Sequence, residues 1–228
     1  MAKISAPFAP QPKRRGELMA RIVFDLDGTL IDSAPDIRAA VNLMLVEEGL
    51  APLSLPEVIG FIGNGLPHLV SLAMAARGID PARHAELSAR VARHYDVVNG
   101  QETVLYPGVA VVLAALVAAG HSLALCTNKP EAPARDCLAQ MGIAKVFDQV
   151  IGGDSLARRK PDPAPLLACA PDLYVGDSEV DAETALRAEI RFLLFTEGYR
   201  KAPLADLPHA AHFADFTALP TLIEGLIA

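Results

Sequence analysis

A short apolar run, Ile22-Val23-Phe24, ends in two carboxylates one residue apart, Asp25-Leu26-Asp27, followed by Gly28 and Thr29. Three β-branched and aromatic residues are too few for a helix and read as a buried strand. Side chains alternate along a strand, so Asp25 and Asp27 are expected to lean to the same side. Gly28 lets the backbone turn where a Cβ would clash. The carboxylate pair then sits at the carboxyl end of a strand, where open parallel sheets bind their ligands. Two ionised carboxylates this close repel and need a cation or a shared proton. Hard oxygen ligands suit Mg2+, which also binds phosphate. The plain alternative is a solvated turn, since Asp and Gly are ordinary turn residues.

The rest of the chain decides between these readings. A helical pattern runs from about Asp36 to Glu48 and stops at Gly49, with Ile37, Ala40, Val41, Met44 and Leu45 on one face. Ser54 caps a short second helix with Pro56 near its start. After Ile62-Gly63-Asn64-Gly65 come helices over about 67–76 and 80–98. Four helices with no convincing strand between residues 36 and 100 read as a helical unit inserted after the first strand. The stretch Ile31-Asp32-Ser33-Ala34-Pro35 reads as a loop.

Past Tyr106-Pro107-Gly108 helix and strand alternate. Helices are expected over 109–119, 131–141, near Pro163, over 179–187 and over 216–227. Strands are expected over 122–126, 146–151, 173–175 and 190–195. This alternation predicts an α/β, doubly wound parallel sheet covered by helices on both faces. The 228 residues suffice for one large domain with a smaller insertion, and 52% hydrophobic against 21% charged residues marks a globular chain. A net charge of −7 argues against nucleic acid or an anionic membrane as partner. No apolar stretch reaches the roughly 18 residues of a membrane helix. Three cysteines, Cys126, Cys137 and Cys169, with no CxxC spacing point to a reducing cytoplasm. Residues 1–18 carry Lys13, Arg14 and Arg15 but no continuous apolar run, and Pro7, Pro10 and Pro12 break any helix. They read as a disordered extension, not a signal peptide.

Polar residues end the strands: Asp25 and Asp27, then Thr127 and Asn128, then Gly176-Asp177-Ser178 with Asp181 one turn on. Parallel topology gathers them on one edge of the sheet, and Lys160 can add a cation. A hydroxyl, backbone N–H groups, a cation and Mg2+ are what phosphate chemistry needs. Singly, each has a plainer account: Thr127 as a helix N-cap, Lys160 as a solvated member of Arg158-Arg159-Lys160, and Gly176 to Asp181 as a capped helix start.

Taken together, Asp25-Leu26-Asp27-Gly28-Thr29, Thr127-Asn128, Lys160-Pro161 and Gly176-Asp177-Ser178-x-x-Asp181 resemble the four ordered motifs of the haloacid dehalogenase superfamily. The resemblance spans about residues 20–200. The inserted helices match that family's helical cap. Phe24 through Ile37, Phe61 to Gly65 and Gly152-Gly153-Asp154-Ser155 resemble its phosphoglycolate phosphatase branch. The resemblance implies a core of residues 19–34 and 102–228 with a cap of residues 35–101. It implies that Asp25 attacks phosphorus and that Asp27 serves as acid and base. It further implies Mg2+ held by Asp25, the Asp27 carbonyl and Asp177. Thr127, Asn128 and Lys160 would bind phosphoryl oxygens, and Asp181 would orient Lys160. An acid at Asp27 points to an alkoxide leaving group, since a halide needs no proton.

Gly63, Asn64 and Gly65 are the expected cap loop over a small anionic phosphoester, with an ordinary interhelical turn as the alternative. Arg200 is a further candidate for anion binding. A phosphosugar mutase and a non-catalytic binding protein are the competing functions, and monomer and homodimer both stay open. Only 16 residues separate Lys160 from Asp177, fewer than the family usually shows, so the helix between them is expected to be about two turns.

Overall fold

The computed structural model describes residues 19–227. The extension expected over residues 1–18 lies outside them. In chain order the elements begin with β1 (Arg21–Phe24), β2 (Ile31–Asp32), α1 (Ala34–Glu47), α2 (Leu55–Ile59), α3 (Leu66–Ala76) and α4 (His84–Val98). They continue with β3 (Val104–Leu105), α5 (Val109–Ala118), β4 (Ser122–Cys126), α6 (Glu131–Gln140) and β5 (Phe147–Ile151). The last are α7 (Ala164–Ala168), β6 (Leu173–Gly176), α8 (Glu179–Ala188), β7 (Arg191–Phe195), β8 (Ala211–Phe213) and α9 (Leu219–Ile227).

Six strands form one parallel sheet in the order β5-β4-β1-β6-β7-β8. The chain therefore winds outward from β1 in one direction, then returns and winds in the other. The reversal lies between β1 and β6, and the crevice at their carboxyl ends is the expected ligand position. Strand alternation divides the core into two layers. Ile22, Phe24, Leu123, Leu125, Leu173 and Val175 pack with α5, α6 and α9. Val23, Ala124, Cys126, Tyr174, Phe192 and Leu194 pack with α7 and α8 on the other face.

Helices α1 to α4 bury a separate apolar cluster built on Ala40, Val41, Met44, Val70, Ala73, Leu87 and Val91. Ser54 and Glu57 form the capping box that starts α2. No helix of the described residues is long and apolar enough to cross a membrane.

Three strands depart from the sequence reading. Residues 31–32 are not loop: they pair antiparallel with Val104–Leu105, so the two links between cap and core run side by side. A two-residue strand is too short to show a period. β8 extends the sheet beside β7 from an Ala-His-Phe stretch with no β-branched residue. Finally, α7 has five residues, under two turns and shorter than expected.

Candidate active site

β1 stops at Phe24, and the backbone continues in register for one more residue, with Asp25 N–H donating to the Val175 carbonyl at 2.9 Å. This fixes Asp25 beside β6, whose own end carries Asp177. Gly28 follows at φ +86°, and a Cβ there would lie 2.4 Å from Asp177 Oδ2. A Cβ on Gly198 would meet the Gly28 carbonyl at 2.2 Å and Asp177 Oδ2 at 2.4 Å. Two glycines from distant segments thus make room for one carboxylate. Thr29 Oγ1 donates to Asp177 Oδ1 and Tyr199 N–H to Oδ2, both at 2.7 Å.

Asp25, Asp177 and Asp181 bring a carboxylate oxygen each within 4.8 Å of one another, all buried. The crowding predicted for Asp25 and Asp27 is therefore located elsewhere: Asp25 is crowded by Asp181 and Asp177. Burial first, then the Asp181 charge, pushes Asp25 up to about 7, against the pull of Lys160. Asp177 is raised well above the carboxylate range by burial and then by Asp181 and Asp25. Asp181 goes the other way. Burial works against its charge, but Lys160 and hydrogen bonds from Ser178 and Tyr174 hold it below its ordinary value.

Hydrogen bonding separates these three acids into two roles. Asp181 is saturated: Oδ1 accepts from Lys160 Nζ at 2.7 Å and Tyr174 Oη at 2.6 Å, and Oδ2 from Ser178 Oγ at 2.6 Å. Asp25 Oδ1 is buried with no hydrogen-bond partner. It forms an ion pair with Lys160 Nζ at 2.8 Å, the ammonium that also donates to Asp181 and Tyr174. Asp25 and Asp177, with carboxylate oxygens within 4.8 Å of each other and each Asp177 oxygen accepting a single side-chain or backbone donor, make a hard oxygen set that fits a divalent cation. Asp25 and Asp177 are the residues that would hold it.

The Lys160 ammonium is buried, and its charge is held by Asp181 and Asp25, so it stays above the ordinary lysine range although burial opposes this. The short, proline-rich connection to β6 therefore still delivers this lysine to the site. The solvated-lysine alternative is overturned.

Asp27 occupies different surroundings. Its Oδ1 accepts from Ser33 Oγ at 2.5 Å and from Lys129 Nζ at 2.9 Å. Ser33 stands at the N-cap of α1 yet makes no cap bond. Tyr199 Oη serves the first amides of this turn, accepting from Ser33 N–H at 2.8 Å and Ala34 N–H at 2.9 Å. The serine hydroxyl goes to Asp27. Thr127, too, is not a helix N-cap: its Oγ1 accepts from Lys129 N–H two residues on.

Asp25, Asp27, Thr127, Asn128 and Lys129 open on one chamber of about 100 Å3 between core and cap. Ile37, Ile62, Leu66, Leu69, Ala92 and Tyr95 form its cap wall. Gly63 and Gly65 line it, but Asn64 between them does not. Gly63 and Gly65 have φ of +126° and +83°, as the expected tight loop requires. The Asn128 side-chain amide donates to the carbonyls of Gly63 at 2.9 Å and Lys160 at 3.0 Å, tying the loop to the core. Lys160, Asp177 and Asp181 adjoin Asp25 without lining the chamber. Arg200 is directed to the Ala202 carbonyl and takes no part in the chamber.

A family model of haloacid dehalogenase-like hydrolases matches residues 22–195, from β1 to the end of β7. The chain belongs to the haloacid dehalogenase-like hydrolase family. A phosphoglycolate phosphatase of Cereibacter sphaeroides strain ATCC 17025 is 53% identical over 218 residues, 92% of this chain and all of that one. The phosphoglycolate phosphatase of Rhodobacter capsulatus is 46% identical over 216 residues, 90% of this chain and 96% of that one. Among solved structures, a predicted phosphoglycolate phosphatase from Haemophilus somnus superposes with a TM-score of 0.84 at 31% identity. That match covers 91% of this chain and 99% of the other. The family member described here is an enzyme of the phosphatase kind, built as a parallel core with a helical cap.

Sequence reasoning missed Lys129 and Tyr95. Lys129 directly follows Thr127-Asn128 in a strand-end loop, and that adjacency was its available signal. Tyr95 reads as one more apolar position of α4.

Proposed function

We propose that the chain is a Mg2+-dependent phosphomonoester hydrolase that cleaves 2-phosphoglycolate through an aspartyl-phosphate on Asp25. One observation carries this reading. The two carboxylates of the first motif share a chamber but are held by different lysines, Asp25 by Lys160 and Asp27 by Lys129. Two environments let one carboxylate act as nucleophile and the other as proton carrier.

In the first step a carboxylate oxygen of Asp25 attacks phosphorus and the bond to the leaving alkoxide breaks. Asp27 gives that alkoxide its proton. In the second step water attacks the phosphorus of the acyl phosphate, Asp27 takes back a proton, and Asp25 is regenerated with release of inorganic phosphate. Thr127 Oγ1, which uses its lone pair on Lys129 N–H, keeps its proton to donate to a phosphoryl oxygen. The Asn128 backbone N–H and the Lys160 ammonium supply further positive charge. Mg2+ on Asp25 and Asp177, with the Asp27 carbonyl, would neutralise phosphoryl charge that Asp25 otherwise meets as an anion.

The chamber is small, and its cap wall is apolar apart from Tyr95 and Asp96. This suits a phosphoester with few atoms beyond the phosphate and disfavours a sugar phosphate, whose hydroxyls need several polar partners. The backbone of Gly63 and Gly65 can approach the carboxylate of such a substrate. The division into core (19–34 and 102–228) and cap (35–101) belongs to this reading. Three buried free cysteines fit a reducing cytoplasm. The test is phosphate release from a panel of phosphoesters with and without Mg2+. The expected result is metal-dependent release, fastest from 2-phosphoglycolate. Isomerisation of a sugar phosphate without release would establish the mutase instead.

A further inference from the structure

Lys129 is buried, and its ammonium has two partners, Asp27 and Tyr95. Its Nζ donates to Asp27 Oδ1 at 2.9 Å and to Tyr95 Oη at 2.5 Å, and lies 4.6 Å from the centre of the Tyr95 ring. Tyr95 belongs to α4, so one bond reaches the acid on the core and the other the cap. The loop carrying Lys129 is fixed from a further strand end, where Gly153 N–H donates to the Lys129 carbonyl at 2.8 Å. A Cβ on Gly153 would lie 2.4 Å from the Asn128 carbonyl, so this bracing needs glycine.

Two donors, Lys129 Nζ and Ser33 Oγ, converge on one oxygen of Asp27. Among the described residues no hydrogen bond goes to Oδ2. Rotation of the carboxylate is thereby restricted. A proton on Oδ1 would cost at least one of these bonds, so Oδ2 is the oxygen left free to carry a transferable proton.

We propose that Lys129, braced by Tyr95 from the cap, is a positioning residue that sets Asp27 for protonation of the leaving alkoxide. The proposal rests on the acid–base reading of Asp27 given above. The competing role for a lysine on the chamber wall is to bind a substrate carboxylate directly, and substrates without a carboxylate separate the two.

The experiment measures kcat/KM, with Mg2+ present, for ethyl phosphate, p-nitrophenyl phosphate and 2-phosphoglycolate. The enzymes are the parent, Asp27→Asn, Lys129→Met and Tyr95→Phe. This parameter reports events up to departure of the leaving group. Ethoxide needs a proton to leave and p-nitrophenolate does not. Lys129→Met is expected to lose about 100-fold with ethyl phosphate and at least ~10-fold less with the aryl ester, within the range of general acid catalysis. Tyr95→Phe, which keeps the ring and removes one hydroxyl, is expected to show the same selectivity at smaller size. It carries the test if Lys129→Met does not fold.

Equal losses with both carboxylate-free esters, or no loss, overturn the proposal. A loss confined to 2-phosphoglycolate also overturns it and makes Lys129 a carboxylate ligand. Asp27→Asn tells the two readings apart. If it shows leaving-group selectivity while the Lys129 and Tyr95 variants do not, the positioning role alone fails. If Asp27→Asn shows none, the acid–base reading fails and takes this one with it.

Discussion

Asp25 is the residue on which the proposed chemistry depends most directly, and its surroundings say why an amide cannot replace it. Asparagine fills the same volume but supplies neither the nucleophilic oxygen nor the charge facing Lys160. Asp25→Asn is expected to lower kcat at least ~1000-fold with circular dichroism and unfolding still cooperative. Activity near the parent level would remove it as nucleophile. Gly198 makes the opposite kind of demand, for the absence of atoms. Alanine there would bring its Cβ 2.2 Å from the Gly28 carbonyl and 2.4 Å from Asp177. Backbone cannot yield cheaply, so Gly198→Ala is expected to cost about 1–3 kcal/mol in urea unfolding and to weaken Mg2+ binding. Parent-like stability and binding would show that this contact relaxes freely. Neither glycine contact follows from composition, since Gly28 and Gly198 come together only when β1 and the end of β7 do.

Among the elements, the paired links between cap and core have the most exposed role and the fewest residues. β2 and β3 contribute two residues each. Asp36, on the first turn of α1, holds the returning link. Its carboxylate accepts from the N–H groups of Gly100, Glu102 and Thr103 and from Thr103 Oγ1, at 2.6–3.2 Å. It is fully enclosed, so removing it leaves buried donors without acceptors. Asp36→Ala is expected to destabilise the protein by about 3 kcal/mol. The amides of Gly100, Glu102 and Thr103 should exchange with solvent faster, with those of β1 little changed. Uniform acceleration across the sheet would mean that Asp36 supports the whole fold and not this link. The sequence reading assigns residues 31–35 to a loop and gives Asp36 no special place, because both features depend on partners 64 to 74 residues away.

For the molecule as a whole, the site concentrates negative charge inside an already acidic protein. Asp25 and Asp177 both titrate above their ordinary carboxylate value of 3.8, Asp25 at about 7. A folded-state value above the unfolded one means that the folded protein binds the proton more tightly. That contribution is present at pH below about 4 and is lost as pH rises toward 7, where the metal-free site holds unneutralised charge. A divalent cation binds the deprotonated acids, so its stabilisation grows over the same interval. Saturating Mg2+ is expected to raise Tm by more at pH 8 than at pH 5.5, with the difference lost in Asp177→Asn. An equal shift at both pH values would mean that the acids are ionised throughout. The cap is joined to the core at this site as well as at the links, through Asn128 to Gly63, Lys129 to Tyr95 and Lys201 to the Ile62 carbonyl. Under the proposed chemistry, both substrate entry and placement of Asp27 depend on how the two parts are seated.

The sequence by itself determined the strand–helix alternation, the inserted helices and the three polar strand ends, because each is written in local periodicity and in residue types that parallel topology brings to one edge. The places of Asp25, Asp27, Thr127, Asn128, Asp177 and Asp181 at one sheet edge were legible for that reason, and that of Lys160 only through the family resemblance of its motif. Tertiary structure alone decided which acids crowd and which are kept apart. It set Asp25 against Asp177 and Asp181, and gave Asp27 its own lysine from β4's loop and, through that lysine, a cap tyrosine. These are contacts between residues 34 to 156 apart in the chain. Their energies come from burial and from the partner that burial supplies, neither of which exists until the sheet and the cap close around them.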